Sequence, residues 1–305
     1  YLTGAEQKDG RINSLCLSGV GGTFTLHGDY YIDATGDGTL SALAGCPYQL
    51  GREEDNLCQP MTLCFRVANV DMDLFREQIP QINPLYQQLQ REGKIKNPRE
   101  NVLKFYTLIP GMIHFNTTRV IKKNPIDPFE KTQAELEARE QVFEIFSFLK
   151  EHFSAFRNSQ IAATAGEIGV RESRMIIGDY VLNQQDLVDC VKFPDAIAAG
   201  NYDIDIHNPE GSGTSHYYFQ DGTWYTIPYR CLHPKGMENL LTAGRCISST
   251  HQAQASYRIM PIVCCIGEAA GIAVSVAKKQ GVPVDQADIS KIQHLIIQAG
   301  GFTGL

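Results

Sequence analysis

At 305 residues the chain is long enough for one large or two medium domains with a sizeable core. Its net charge of -7 leaves no basic excess to meet a phosphate backbone, so nucleic acid is excluded as an expected partner. No run of about 18 apolar residues marks a bilayer span, and no basic-then-apolar leader is visible. The nine cysteines are widely spaced, odd in number and without a C-x-x-C pair. That usage fits small buried hydrophobes in a reducing, cytoplasmic setting better than a disulfide framework or a zinc site. Cys264 and Cys265 are adjacent, but in a helix-like apolar run a bridge between them would be strained.

From Tyr1 to about Pro60 the pattern is strand-rich and punctuated by glycine. Ser14 to Leu17 and Thr23 to Leu26 flank Gly19, Gly21 and Gly22, which read as a hairpin turn, because a phosphate cradle would need a helix after the glycines. Tyr31, Ile32 and Ala34 end a buried strand. Thr35, Gly36, Asp37 and Gly38 then turn the chain into a short helix that covers Leu40 and Leu43 and stops at Gly45. Taken alone, Asp37 reads as that helix's cap.

Between Met61 and Tyr225 the pattern is mixed. Thr62 to Val67 and Phe105 to Ile109 read as strands, and a long helix begins at Pro128, with Asp127 as cap and Glu130 in capping-box spacing. Leu136, Phe143, Phe146, Phe153 and Phe156 recur at helical spacing and read as its core face.

From Thr226 onward the small-residue pattern returns. Leu240 to Ala243 is a short buried strand, Gly244 and Arg245 turn it, and Pro261 opens an apolar helix closed by Lys278, Lys279 and Gly281. Met260 offers no side-chain acceptor to the first N–H groups, so water, Ser256 or a ligand is expected there. Gly267, Ala270 and Gly271 share one face; each glycine costs a helix about 1 kcal/mol relative to Ala, which implies a packing or ligand reason.

Four strings stand out: YYIDATGDGTLSALAG from Tyr30, the RESR and GDY run from Gly169 to Leu182, IPYR around Tyr229, and Asn239 to Gly271. In that order they resemble FAD-dependent oxidoreductases built on the glutathione-reductase-like flavin fold. The resemblance implies a mixed α/β fold, with a partial FAD-binding domain over 1–60 and 226–305. A substrate domain with a mixed or antiparallel sheet and helices would be inserted over 61–225. It also implies FAD as cofactor, a small polar substrate, and hydride transfer to flavin N5. The cofactor contacts it carries over are Thr35, Gly36, Asp37, Gly244, Arg245, Arg258, Gly267 and Gly271, with the helix start at Pro261 beside the flavin pyrimidine edge. The family's G-x-G-x-x-G fingerprint is not in this sequence, which opens at Tyr1, so that segment is expected outside this chain and FAD retention is expected of the intact protein.

The substrate-side candidates are Arg171 and Arg174, paired guanidinium groups suited to a carboxylate or an enolate, or else to ion pairs with Glu172 or Asp179. Asp203, Asp205 and His207 alternate on one strand face; a divalent metal is the lesser reading, and the resemblance places His207 at the substrate pocket. Tyr229 and Arg230 join the set. His251 is the leading acid/base candidate, since imidazole titrates near neutrality. Competing readings are a flavin-free binding module, a saccharide hydrolase or lyase using Asp205 and His207, and a redox protein using Cys264 and Cys265.

Overall fold

The computed structural model describes residues 1–305 as a mixed α/β chain that forms two compact units. The first unit comprises Tyr1–Asn56, Glu172–Ile206 and Ser215–Leu305, and the second Leu57–Arg171 with His207–Thr214. The chain therefore returns to its first unit at Glu172, some way before the boundary near Thr226 that composition suggested.

In the first unit, β1 (Leu2–Lys8), β2 (Arg11–Gly19) and β3 (Gly22–Leu26) form an antiparallel sheet. The β2–β3 connection is the expected glycine hairpin, with Gly19 opposite Gly22. β4 (Tyr31–Asp33) leads into α1 (Thr39–Leu43), and β5 (Tyr48–Leu50) follows.

The second unit holds β6 (Phe65–Ala68), α2 (Met72–Arg91), β7 (Lys104–Tyr106), β8 (Ile113–Phe115), α3 (Pro128–His152) and β9 (Gln160–Thr164). Its four strands form an antiparallel sheet in the order β7-β8-β6-β9. Phe65, Val67, Ile113 and Phe115 turn one face of that sheet into a core shared with residues of α2 and α3. Fully burying side chains of this size contributes about 1.5–3 kcal/mol each.

α3 starts as its sequence predicts, with the Asp127 carboxylate accepting from the N–H groups of Phe129 and Glu130. Its buried face differs from the expected one. Leu136 and Phe143 are 60% and 64% exposed, while Ala134, Ala138, Gln141, Val142, Ile145, Phe148 and Leu149 face inward. Apolar residues occur on two sides of this helix, and the side with small alanines packs closely. Phe153 and Phe156 are buried, but they lie beyond the helix end and so escape its phase.

Back in the first unit come β10 (Arg174–Ile176), α4 (Gln184–Val188) and β11 (Ala196–Gly200). A hairpin of β12 (Ile204–His207) and β13 (Thr214–Tyr217) follows, and its loop belongs to the second unit. The chain closes with β14 (Tyr225–Pro228), β15 (Leu240–Thr242), α5 (His251–Tyr257), α6 (Met260–Gln280) and α7 (Ile289–Gln298).

β15 pairs in parallel with β4, Leu240 opposite Tyr31 and Thr242 opposite Asp33. That pairing brings the two glycine turns, from opposite ends of the chain, to one edge. α6 is long and apolar enough by length and composition to cross a membrane, a property the residue-run reading did not register. Ile262, Ile266, Ala269, Ala273 and Val276 pack one face of it into the core.

Candidate active site

The ATGDG turn is organised by Asp33, which sequence reading had passed over. Its carboxylate, buried at the end of β4, accepts from the N–H and hydroxyl of Thr35 and of Ser41 at 2.7–3.1 Å. The cap position of α1 is Gly38, with no side-chain cap, so Asp37 is released for other contacts. Asp37 accepts from Ser173 Oγ at 2.7 Å and from Arg245 Nη2 at 3.0 Å, and its carbonyl accepts from Arg174 Nη1 at 3.1 Å. Three separate motifs thus meet at one aspartate.

Two glycines make this approach possible. At Gly36 (φ +78) an added Cβ would lie 2.7 Å from Arg245 Nη2, and at Gly38 (φ +61) 2.7 Å from Ile176 Cδ1. Gly38→Ala is expected to lower stability by about 2–4 kcal/mol, combining left-handed strain with overpacking. Gly45→Ala, at φ +82 with nothing within 4 Å, meets only the strain. Urea unfolding midpoints of the two variants check this ordering.

The arginines around the turn are incompletely satisfied. Arg245 Nη1, Arg174 Nε and Arg258 Nε are buried without a hydrogen-bond partner. Arg258 Nη2 reaches only the Asp205 carboxylate at 3.5 Å and its carbonyl at 3.4 Å. Burial pulls the Arg258 pKa down while Asp205 opposes it. An orphaned N–H of a buried cation costs about 1–3 kcal/mol, and an acceptor brought to it recovers that cost. α6 begins nearby in sequence from Ile259, again without a side-chain cap. Ser256, the plain alternative, is committed to the Tyr202 carbonyl and the Tyr225 hydroxyl.

His251 is the first residue of α5, behind the Thr250 cap. Its Nδ1 lies 2.7 and 2.8 Å from the two oxygens of Glu172. The histidine side chain is 5% exposed and the glutamate 0%. A carboxylate only accepts, so Nδ1 donates and Nε2 is left as the basic nitrogen. His251 lines a cavity of about 260 Å³ together with Gln49, Glu53, Glu54, Val181 and Thr250.

The family model for FAD dependent oxidoreductases matches residues 1–296. The chain belongs to that family. Among curated proteins none matches. A solved structure, a geranylgeranyl bacteriochlorophyll reductase-like protein from Thermoplasma acidophilum, is similar at 11% identity and a TM-score of 0.39. The match covers 98% of this chain and 53% of that one, so the chain spans about half the length of that structure.

Membership of the FAD-dependent oxidoreductases implies FAD, and the residues fit one part of it. Orphaned guanidinium N–H groups and an uncapped helix start suit the electron-rich edge of a flavin. The dinucleotide fingerprint for the pyrophosphate is not among these residues, since Gly19, Gly21 and Gly22 make a hairpin.

Of the expected cofactor contacts, Thr35, Gly36, Asp37 and Arg245 are drawn together at the turn. An added Cβ at Gly244, Gly267 or Gly271 would meet nothing within 4 Å, so packing inside this chain does not require glycine there. The two arginines of RESR part company. Arg174 belongs to the first unit and stacks over Tyr48, whereas Arg171 belongs to the second and donates to the Pro60 carbonyl and Thr62 Oγ1.

The two acidic residues weighed as partners for those arginines each hold a histidine. Glu172 holds His251, and Asp179 holds His233. Tyr229 is a core residue whose hydroxyl donates to the Val284 carbonyl at 2.7 Å, with burial pushing its pKa up. His207 Nδ1 faces Arg119 Nη2 at 3.0 Å, whereas the Asp205 carboxylate faces Arg258 and Tyr202. The site residues that sequence reasoning missed are Asp33, Glu172 and Ser173. All three lie inside strings already singled out, and Glu172 was weighed there only as a partner for the arginines.

Proposed function

We propose that the protein oxidises a small polar molecule at FAD, with His251 taking the substrate proton. The carrying observation is the buried His251–Glu172 pair on the wall of a cavity, in the same compact unit as the orphaned arginines. When bound, FAD supplies the two-electron acceptor. Arg245, Arg174 and Arg258, with the first N–H groups of α6, would hold its electron-rich edge. Glu172 fixes the proton on Nδ1 of His251, presents Nε2 to the cavity, and stabilises the imidazolium once the proton has moved. Glu53 and Glu54 give the cavity an acidic rim, which favours neutral or cationic substrates over anionic ones.

The test is an absorbance spectrum of the full-length protein supplemented with FAD, then desalted. Protein-bound flavin bands between roughly 350 and 500 nm are expected. Arg245→Met should weaken FAD binding by about tenfold or more through loss of a charged donor. A colourless full-length protein would defeat the reading and favour a flavin-free binding module.

A further inference from the structure

The second unit carries a feature that the flavin reading does not use. On its four-stranded sheet, β7, β8, β6 and β9 align Phe105, His114, Arg66 and Ala163 in one cross-strand row. Alternation along the strands sends Phe65, Val67, Ile113 and Phe115 to the core and this row to the opposite face. Cys64, two residues before Arg66, shares that face. Cys64, Arg66, His114, Ala163 and Ala165 line a cavity of about 260 Å³ on that face.

The chemistry of the row is unbalanced. Arg66 is exposed and makes no ion pair or hydrogen bond, and no Asp or Glu lines the cavity. His114 Nδ1 is buried without a hydrogen-bond partner. Burial and the Arg66 charge both pull the His114 pKa down, so its ring is neutral near pH 7 and one of its two nitrogens carries a hydrogen to donate. The Phe105 ring lies beside the imidazole, 6.2 Å between centroids and tilted by 43°. Ala163 and Ala165 add little bulk. An orphaned buried nitrogen is expensive until a partner meets it, and one acceptor can meet it and the neighbouring exposed guanidinium together.

The geometry points to a binding site on this sheet face for a small aromatic carboxylate: Arg66 takes the carboxylate through its planar fork, His114 Nδ1 donates to it, and Phe105 packs against the ring. This assignment stands on the second unit alone and does not depend on the flavin reading. A planar carboxylate matches the guanidinium fork bidentately, which neither an amine nor a neutral alcohol does. The Cys64 thiol, raised by burial against the opposing influence of Arg171, serves as an apolar wall rather than a nucleophile.

The probe is benzoate, titrated into the full chain and followed by calorimetry and by the ring ¹⁵N signals of labelled histidine. Saturable binding that moves one histidine's signals is expected, and that histidine's signals are absent in His114→Asn. Arg66→Ala should weaken benzoate by about tenfold or more and Arg66→Lys by less, because lysine keeps the charge but not the fork. Acetate should bind more weakly than benzoate, and benzylamine not at all. The exposed position of Arg66 keeps its variants folded, which a thermal melt verifies. The assignment is overturned if benzoate does not saturate. It is equally overturned if Arg66→Ala binds as tightly as the parent, or if inorganic phosphate binds as well as benzoate, which would mark a general anion patch.

Discussion

His251→Gln is expected to lower substrate-dependent reduction of a dye acceptor by about 10²- to 10⁴-fold in the FAD-loaded full-length protein, without changing its flavin spectrum. The expectation comes from the geometry of one ring. Nδ1 is held by both oxygens of a fully buried carboxylate, which leaves Nε2 as the nitrogen able to take a proton in the cavity. Glutamine keeps a donor near Glu172 but has no titratable nitrogen, so binding survives while proton transfer fails. Glu172→Gln tests the other half of the pair, since an amide neither fixes the Nδ1 proton as firmly nor stabilises the imidazolium. The double variant should lose little more than His251→Gln alone, because residues that act as a unit are non-additive. A panel of alcohols, α-hydroxy acids and amines supplies the substrate. Unchanged turnover in His251→Gln, with the parent active, would remove His251 from the reaction.

The two glycine turns were legible in the sequence because their signals are local. A buried strand, a glycine that must adopt positive φ and a short helix occupy consecutive residues. The β2–β3 hairpin and the start of α3 were legible for the same reason. α2 was not foreseen, although Asp71 caps it and Phe75, Ile82, Tyr86 and Leu89 form its buried face. Pro80 and Pro84 lie inside it and argue locally against a helix, and the buried face prevails over them. At the site, residue types were readable and partners were not. Asp37 was read as a cap, but Gly38 takes that position and frees the carboxylate for Ser173 and Arg245. The identity of Glu172 as the partner of His251 depends on a fold that joins residues distant in sequence, which periodicity cannot encode.

Arg119 had no sequence signal at all, and its removal carries the largest expected loss of stability. Its side chain is 1% exposed, and Nη1 donates to the carbonyls of Gly211 at 3.0 Å and Gly213 at 2.9 Å. Nη2 lies 3.0 Å from His207 Nδ1 and 3.2 Å from Thr214 Oγ1, and the Glu100 carboxylate stands 3.6 Å from Nη1. Gln141 of α3 clamps the Arg119 backbone from both sides, accepting from its N–H at 2.7 Å and donating to its carbonyl at 3.0 Å. A guanidinium never accepts, so His207 Nδ1 must, which places the His207 proton on Nε2. Arg119→Ala strands two loop carbonyls and a carboxylate together and should cost about 3–5 kcal/mol. Arg119→Lys keeps the charge but loses the fork and should cost less. Burial works against the Glu100 charge, yet peptide N–H groups, Arg119 and Arg99 outweigh it and hold the pKa below the usual carboxylate range. Glu100 therefore adds stability above its unfolded pKa of about 4.3, and that contribution is lost as pH falls through the lower folded value. Without Arg119 much of this depression disappears, so acid should destabilise Arg119→Ala less steeply than the parent. Urea unfolding at pH 7 and at lower pH reads both effects, and a variant within about 1 kcal/mol of the parent at pH 7 would show that the loop holds without its arginine.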